Sequence, residues 1–219
     1  MLGKILLGIL ISAVVVVVFL MPSPQEELGE VSRIFFFHVP VAWVTVLAFL
    51  FAMINSILYL SKKDPIYDIQ AAVSSQLGFL FAILSTVSGA IFAKYAWGSY
   101  WNWDPRETSV FILLLIYGAY LALRSAIEAE DRKANLSAVY SILAFITVPF
   151  LVFVVPRVFK SLHPVDSVIS SQIKIQMPFS VLSVFLGALL GFSLLFIWIY
   201  RLEVKITLLN KKKKEILVT

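Results

Sequence analysis

Residues 2–21 contain a single charge, Lys4, and are otherwise almost wholly apolar. A bilayer core about 30 Å thick is crossed by about 20 such residues in a helix. Five more apolar runs follow, at about 41–60, 71–93, 108–123, 136–155 and 179–200. In lipid each backbone N–H and C=O must be satisfied inside its own segment, which makes the helix the form for isolated runs of this kind. The sequence therefore predicts an all-α polytopic membrane protein, with six transmembrane helices forming one domain over 1–219. Composition agrees: 60% of the residues are hydrophobic and only 14% charged, where a soluble domain carries about a quarter.

The first run lacks a small-x-small cleavage pattern and is followed by Met21-Pro22-Ser23-Pro24, so it is read as an uncleaved span rather than a signal peptide. The fourth is short, but its start is well specified. Asp104 suits an N-cap, Pro105 the first helical position, and Glu107 the return arm of a capping box. Pro40 is expected in the first turn of the second span, with His38 at the mouth of that helix. Gly78, Ala82, Ser85 and Gly89 give the third span a face of small residues, and Gly187 and Gly191 do the same for the sixth; such faces let membrane helices approach closely.

Six spans alternate the connectors between two sides. Twelve Lys and Arg, six of them beyond Tyr200, fall on the side of the two termini. Six fall on the other: Arg33, Lys94, Arg106, Arg157, Lys160 and Lys174. The positive-inside rule then places both termini in the cytoplasm. The connectors 22–39, 94–107 and 156–178 share the outer face, and with them both histidines of the chain, His38 and His163. The basic residues sit at helix ends and in the tail, so the net charge of +5 points to the lipid bilayer and not to nucleic acid. Cysteine is absent, which excludes disulfides, thiolate-ligated metals and a Cys-x-x-Cys-His haem attachment site in this chain.

Three of the five tryptophans lie within seven residues, in Trp97-Gly98-Ser99-Tyr100-Trp101-Asn102-Trp103. Trp and Tyr gather at membrane interfaces in any case, and a broad indole face also suits stacking on a flat apolar ligand. Both readings stay open for the tryptophans alone. Two histidines on the same face favour the second, because two neutral imidazoles can fill both axial positions of a haem iron. The propionates of such a ligand call for cations, and Arg106, Arg157 and Lys160 are near in sequence. Each feature also has an ordinary structural role: an interfacial histidine, a helix cap at Asp104, a snorkelling Arg106.

The pattern Trp97-Gly98-x-x-Trp101-x-Trp103-Asp104-x-Arg106-x-Thr108 resembles the tryptophan-rich "WWD" signature of the haem-handling membrane proteins of cytochrome c maturation. Six spans with one outer histidine on each side of that signature resemble the haem exporter protein C family. His38-Val39-Pro40-x-Ala42-Trp43 is similar to its first-histidine segment, and Ser161-Leu162-His163 to its second. The resemblance covers nearly the whole chain. It departs from the family pattern at Arg157-Val158-Phe159-Lys160, where aromatic residues are expected, and at Pro164, where a polar residue is usual.

The resemblance implies a chain that binds haem b at the outer, periplasmic face of the cell (inner) membrane. It would present the haem to a membrane-anchored haem chaperone, which binds it covalently. It implies an ABC-type ATPase, that enzyme's membrane subunit and a small single-span protein as partners, and a delivery role rather than an enzymatic one. Carried over, His38 and His163 are the axial ligands, and Trp97, Trp101, Trp103, Asp104 and Arg106 line the haem. Two alternatives come from other classes. A b-type cytochrome usually sets its histidines inside paired helices, whereas here both are expected in connectors. A solute permease needs polar groups at mid-membrane, and the spans offer little beyond Asn55, Gln76, Ser and Thr.

Overall fold

The computed structural model describes residues 2–163 and 177–218. Among these, six helical segments are long and apolar enough to cross a membrane, so the protein is a multi-pass membrane protein. The helices are α1 (Leu2–Leu20), α2 (Phe35–Lys62), α3 (Pro65–Trp97), α4 (Pro105–Ala126), α5 (Glu130–Pro149), α6 (Val155–Val158) and α7 (Phe179–Val218). A five-residue π segment, Phe150–Val154, joins α5 to α6 into one span. Pro156 offers no N–H to the carbonyl of Val152, and a missing bond of this kind favours a locally widened turn.

The helices run further than the apolar runs suggest, because the charged residues at their ends still have helical backbone. Helix α4 has 22 residues rather than the sixteen of its apolar run, and its predicted capping box is present, with Pro105 in the first turn. Helix α7 has 40 residues; at about 1.5 Å per residue it is about 60 Å long, roughly twice a bilayer core.

The second span corrects the sequence reading. Residues 26–34 form 3₁₀ turns, broken at Gly29, whose φ of +55° a glycine adopts without a Cβ clash. These lead directly into α2 at Phe35. Pro40 is therefore the sixth residue of the helix rather than part of its first turn, and His38 is helical rather than in a connector. The entry is held by Arg33, which is buried. Its guanidinium donates to the carbonyls of Val18 and Met21 and pairs with Glu30 at 2.7 Å. The two carbonyls close α1, where no intrahelical N–H remains for them. The same contact ties α1 to the start of α2.

Helix α2 packs most extensively on α3, and also on α5 and α7. The predicted small-residue face of α3 is what brings it there. A Cβ on Gly78 would lie 2.5 Å from the ring of Phe49, and Ala82 and Ser85 are buried along the same face. Phe49 in turn stacks on Tyr117 of α4, which closes the core between α2, α4 and α5. Gly187 and Gly191 of α7 face Val14 and Ile11 of α1. At the end of the bundle away from both histidines, Arg124 of α4 donates to both oxygens of Asp68 of α3, at 2.6 and 2.9 Å. This bidentate geometry fixes the spacing of α3 and α4 at that end.

Candidate functional site

Asp104 is the hub of the site. As N-cap of α4 its Oδ1 accepts from the backbone N–H of Arg106 at 2.9 Å. The same carboxylate reaches the segment that follows α6. It accepts from the Ser161 hydroxyl at 2.9 and 3.1 Å, from the Leu162 N–H at 2.6 Å, and from Nδ1 of His163 at 3.1 Å. Asp104 is 3% exposed, so water does not compete for these bonds. Burial alone would push its carboxyl up. The N–H groups of Arg106 and Leu162, the Ser161 hydroxyl and His163 more than offset that, and hold it below the usual carboxylate value.

A carboxylate only accepts, so the Nδ1 facing Asp104 carries the ring hydrogen and the His163 lone pair lies on Nε2. Burial pushes the His163 imidazole down, Asp104 draws it up, and Arg106 pushes it down; the net value is below the ordinary one. The ring is accordingly neutral at neutral pH, the form that ligates metals.

His38 is seated by α3. Its Nδ1 lies 3.0 Å from the Ser88 hydroxyl, and a Cβ on the neighbouring Gly89 would be 2.9 Å from its Cε1. The far end of the small-residue face is thus the seat of a histidine as well as a packing surface. One helix links the two histidines. The last turns of α3 carry Ser88, Gly89, Phe92 and Trp97; Trp97 meets Phe92 edge-on and packs against His163 with ring centroids 4.6 Å apart. Both histidines are half-buried.

The three tryptophans do not make one platform. Trp97 is the last residue of α3 and belongs to His163. Trp101 and Trp103 meet edge-to-face at 88°, and Trp101 also abuts Phe111 of α4. Trp103 is 72% exposed and has a left-handed backbone, with φ +56°, which costs a residue with a Cβ about 1–2 kcal/mol. Glu107 holds it there. One carboxylate oxygen accepts from the N–H groups on either side, Asn102 at 2.8 Å and Asp104 at 3.3 Å.

Arg106 is half-buried in the first turn of α4. Its Nε is buried without a hydrogen-bond partner among the described residues. Lys160 is exposed. Pro164 and Lys174 lie outside the described residues.

Sequence reasoning missed Ser88 and Gly89 as neighbours of His38, and Glu107 as the brace of the Trp103 turn. Ser and Gly on a membrane helix signal packing whether or not a histidine sits on them. Glu107 was already accounted for by the capping box.

Among the described residues, a helical membrane bundle with a half-buried histidine on α2 and another packed on the last residue of α3 defines a class: polytopic membrane proteins with histidines at one end of the bundle. The comparisons narrow it. A model of the heme exporter protein C family matches residues 2–219, and the chain belongs to that family. The heme exporter protein C of Bradyrhizobium diazoefficiens is 30% identical over 201 residues, 90% of this chain and 74% of that protein. A cytochrome c biosynthesis ccmC-like mitochondrial protein of Marchantia polymorpha is 30% identical over 156 residues; these are 71% of this chain and 65% of that protein, just under two thirds of its length. The cytochrome c biogenesis protein CcsA of Glycine max is 47% identical over a stretch of 62 residues, 28% of this chain and 19% of that protein.

Proposed function

We propose that this chain binds haem through His38 and His163 and delivers it during cytochrome c maturation. One observation carries the reading. Each imidazole directs Nδ1 at an oxygen of a neighbouring side chain, Ser88 for His38 and Asp104 for His163. Held in this way, both can offer Nε2 to one metal centre, and a metal-ligating histidine characteristically anchors its other nitrogen like this. Haem b, when bound, supplies an iron that takes two nitrogen ligands and a flat apolar ring. Trp97 would line that ring beside His163, and the family resemblance adds Trp101 and Trp103 to the haem-contacting loop. The Nε of Arg106, without a hydrogen-bond partner among the described residues, suits an anionic carboxylate such as a propionate.

The recipient in this reading is a membrane-anchored haem chaperone. The ABC-type ATPase, its membrane subunit and the small single-span protein would form the surrounding complex, and the chain's own role is binding and delivery rather than catalysis. His38 inside a helix removes one objection to a b-type cytochrome. Membership of the heme exporter protein C family favours delivery, as does the place of His163 in a segment outside the spans. The test is reconstitution with haem and the chaperone. Haem that stays with the chaperone through denaturation is expected with the wild type and not with the double variant His38→Ala/His163→Ala. Equal transfer by that variant overturns the proposal.

The site is proposed to face outward in the cell (inner) membrane, on the periplasmic side, with both termini cytoplasmic. Because the chain has no cysteine, single replacements report without background. Ser99→Cys should react with an impermeant thiol reagent in cells whose cytoplasm is sealed, and Lys212→Cys should not. The opposite pattern reverses the orientation.

A further inference from the structure

We infer that Ser88 is a positioning residue that fixes which nitrogen of His38 carries the hydrogen, and so presents the Nε2 lone pair to the ligand. The inference rests on the reading of His38 as an iron ligand. It assigns a task to a residue of α3 that itself touches neither iron nor porphyrin in that reading.

The geometry of one hydroxyl decides the matter. Ser88 Oγ lies 2.8 Å from the carbonyl of Leu84 and 3.1 Å from that of Ser85. Both carbonyls can take the single hydroxyl hydrogen, in the back-bonded arrangement usual for serine in a helix. In that arrangement Ser88 presents an oxygen lone pair to His38 Nδ1, at 3.0 Å. The ring then donates there. A neutral imidazole has one N–H, so Nε2 is left bare.

Gly89 completes the seat. A Cβ at that position would stand 2.9 Å from Cε1, 3.5 Å from Nδ1 and 3.7 Å from Nε2. The edge of the ring that joins the two nitrogens thus rests on the glycine backbone, and any side chain would push the ring off Ser88. The two ligands are held by unlike groups, a hydroxyl on a transmembrane helix for His38 and a buried carboxylate for His163.

The test begins with the protein without haem. Because the chain has only two histidines, ring ¹⁵N signals of membrane-reconstituted protein are assigned by comparison with His38→Ala. Wild type should show His38 protonated at Nδ1. Ser88→Ala should raise the Nε2-protonated fraction relative to the Nδ1-protonated one by about two- to tenfold, the equivalent of one neutral hydrogen bond. Ser88→Thr, which keeps the hydroxyl, should restore the wild-type pattern. The His163 signals serve as the control for folding; if they also move, Ser88→Cys, whose sulfur accepts only weakly, replaces the alanine variant. With haem added, Ser88→Ala should lose low-spin absorbance and Ser88→Thr should retain it. A His38 nitrogen pattern unchanged in Ser88→Ala overturns the inference. Failure of the ligand reading is separate: it would appear as a wild-type haem spectrum in His38→Ala.

Discussion

Alanine at either His38 or His163 should convert a six-coordinate, low-spin haem spectrum into a high-spin one, and alanine at both should remove most of the haem. Each single replacement takes away one strong-field nitrogen and opens an axial position. In the proposed site the other contacts persist: the indoles, at about 0.5–1.5 kcal/mol for each aromatic contact beyond area burial, and the Arg106 guanidinium. Residual haem in the single variants is thus expected. Affinity should fall at least tenfold, since even loss of a group that merely orients a metal ligand costs about 10–100-fold. Added imidazole should fill the vacated position and restore part of the low-spin signal. A wild-type spectrum in His163→Ala would remove that residue from the ligand pair, and Met177, half-buried at the far end of the same connector, would be the next candidate, since methionine also ligates haem iron.

The second large effect is expected at Asp104, where one carboxylate caps α4 and holds the segment 161–163. Asp104→Asn keeps one oxygen, enough for the Arg106 N–H, and an asparagine is as good an N-cap as an aspartate. Helix α4 should therefore form normally. The second oxygen becomes an NH₂ that confronts the Leu162 N–H, a donor against a donor, and the negative charge opposite His163 is lost. Hydrogen bonds to charged groups contribute about 1.5–3 kcal/mol each, and those to Leu162, Ser161 and His163 are all weakened. Amide exchange at Leu162 should rise sharply while that of the α4 interior stays unchanged, and haem affinity should fall about 10–100-fold. Unchanged exchange and unchanged haem binding together would reduce Asp104 to a helix cap.

The pH dependence has the same sign at both partners. Asp104 and His163 are each lowered in the folded protein, so each contributes stability above its unfolded value and loses it as pH falls through the lower folded one. The His163 ring should stay neutral below pH 6.5, the ordinary value for histidine. The clamp on 161–163 should release only in acid beyond the ordinary carboxylate range. Haem binding limited at pH 6.5 by protonation of His163 would contradict this.

The architecture was legible in the sequence because the constraint behind it is local. A run of about 20 apolar residues must satisfy its backbone within itself, and so six helices can be counted without knowing how they pack. The cap at Asp104-Pro105-Arg106-Glu107 was legible for the same reason, since all its bonds lie within four residues. The resemblance carried by the Trp-rich stretch extended this to a family. Helix limits were less clear. Charged ends hide helical backbone from a hydropathy reading, and 3₁₀ turns leading directly into α2 at Phe35 drew His38 into the helix.

Tertiary structure alone decided how the site is assembled. Nothing local relates Asp104 to His163, 59 residues on, or His38 to Ser88, 50 residues on. Those pairs exist because Gly78, Ala82, Ser85 and Gly89 let α3 lie close against α2, and because α6 brings Ser161 back to the N-terminus of α4. Which nitrogen of each imidazole is free follows from those contacts, since a neutral ring has one hydrogen and its neighbours determine where it sits. The sequence by itself determined that there would be six helices and two histidines beside a tryptophan cluster. The fold determined that a serine and an aspartate would each hold one of those histidines by Nδ1.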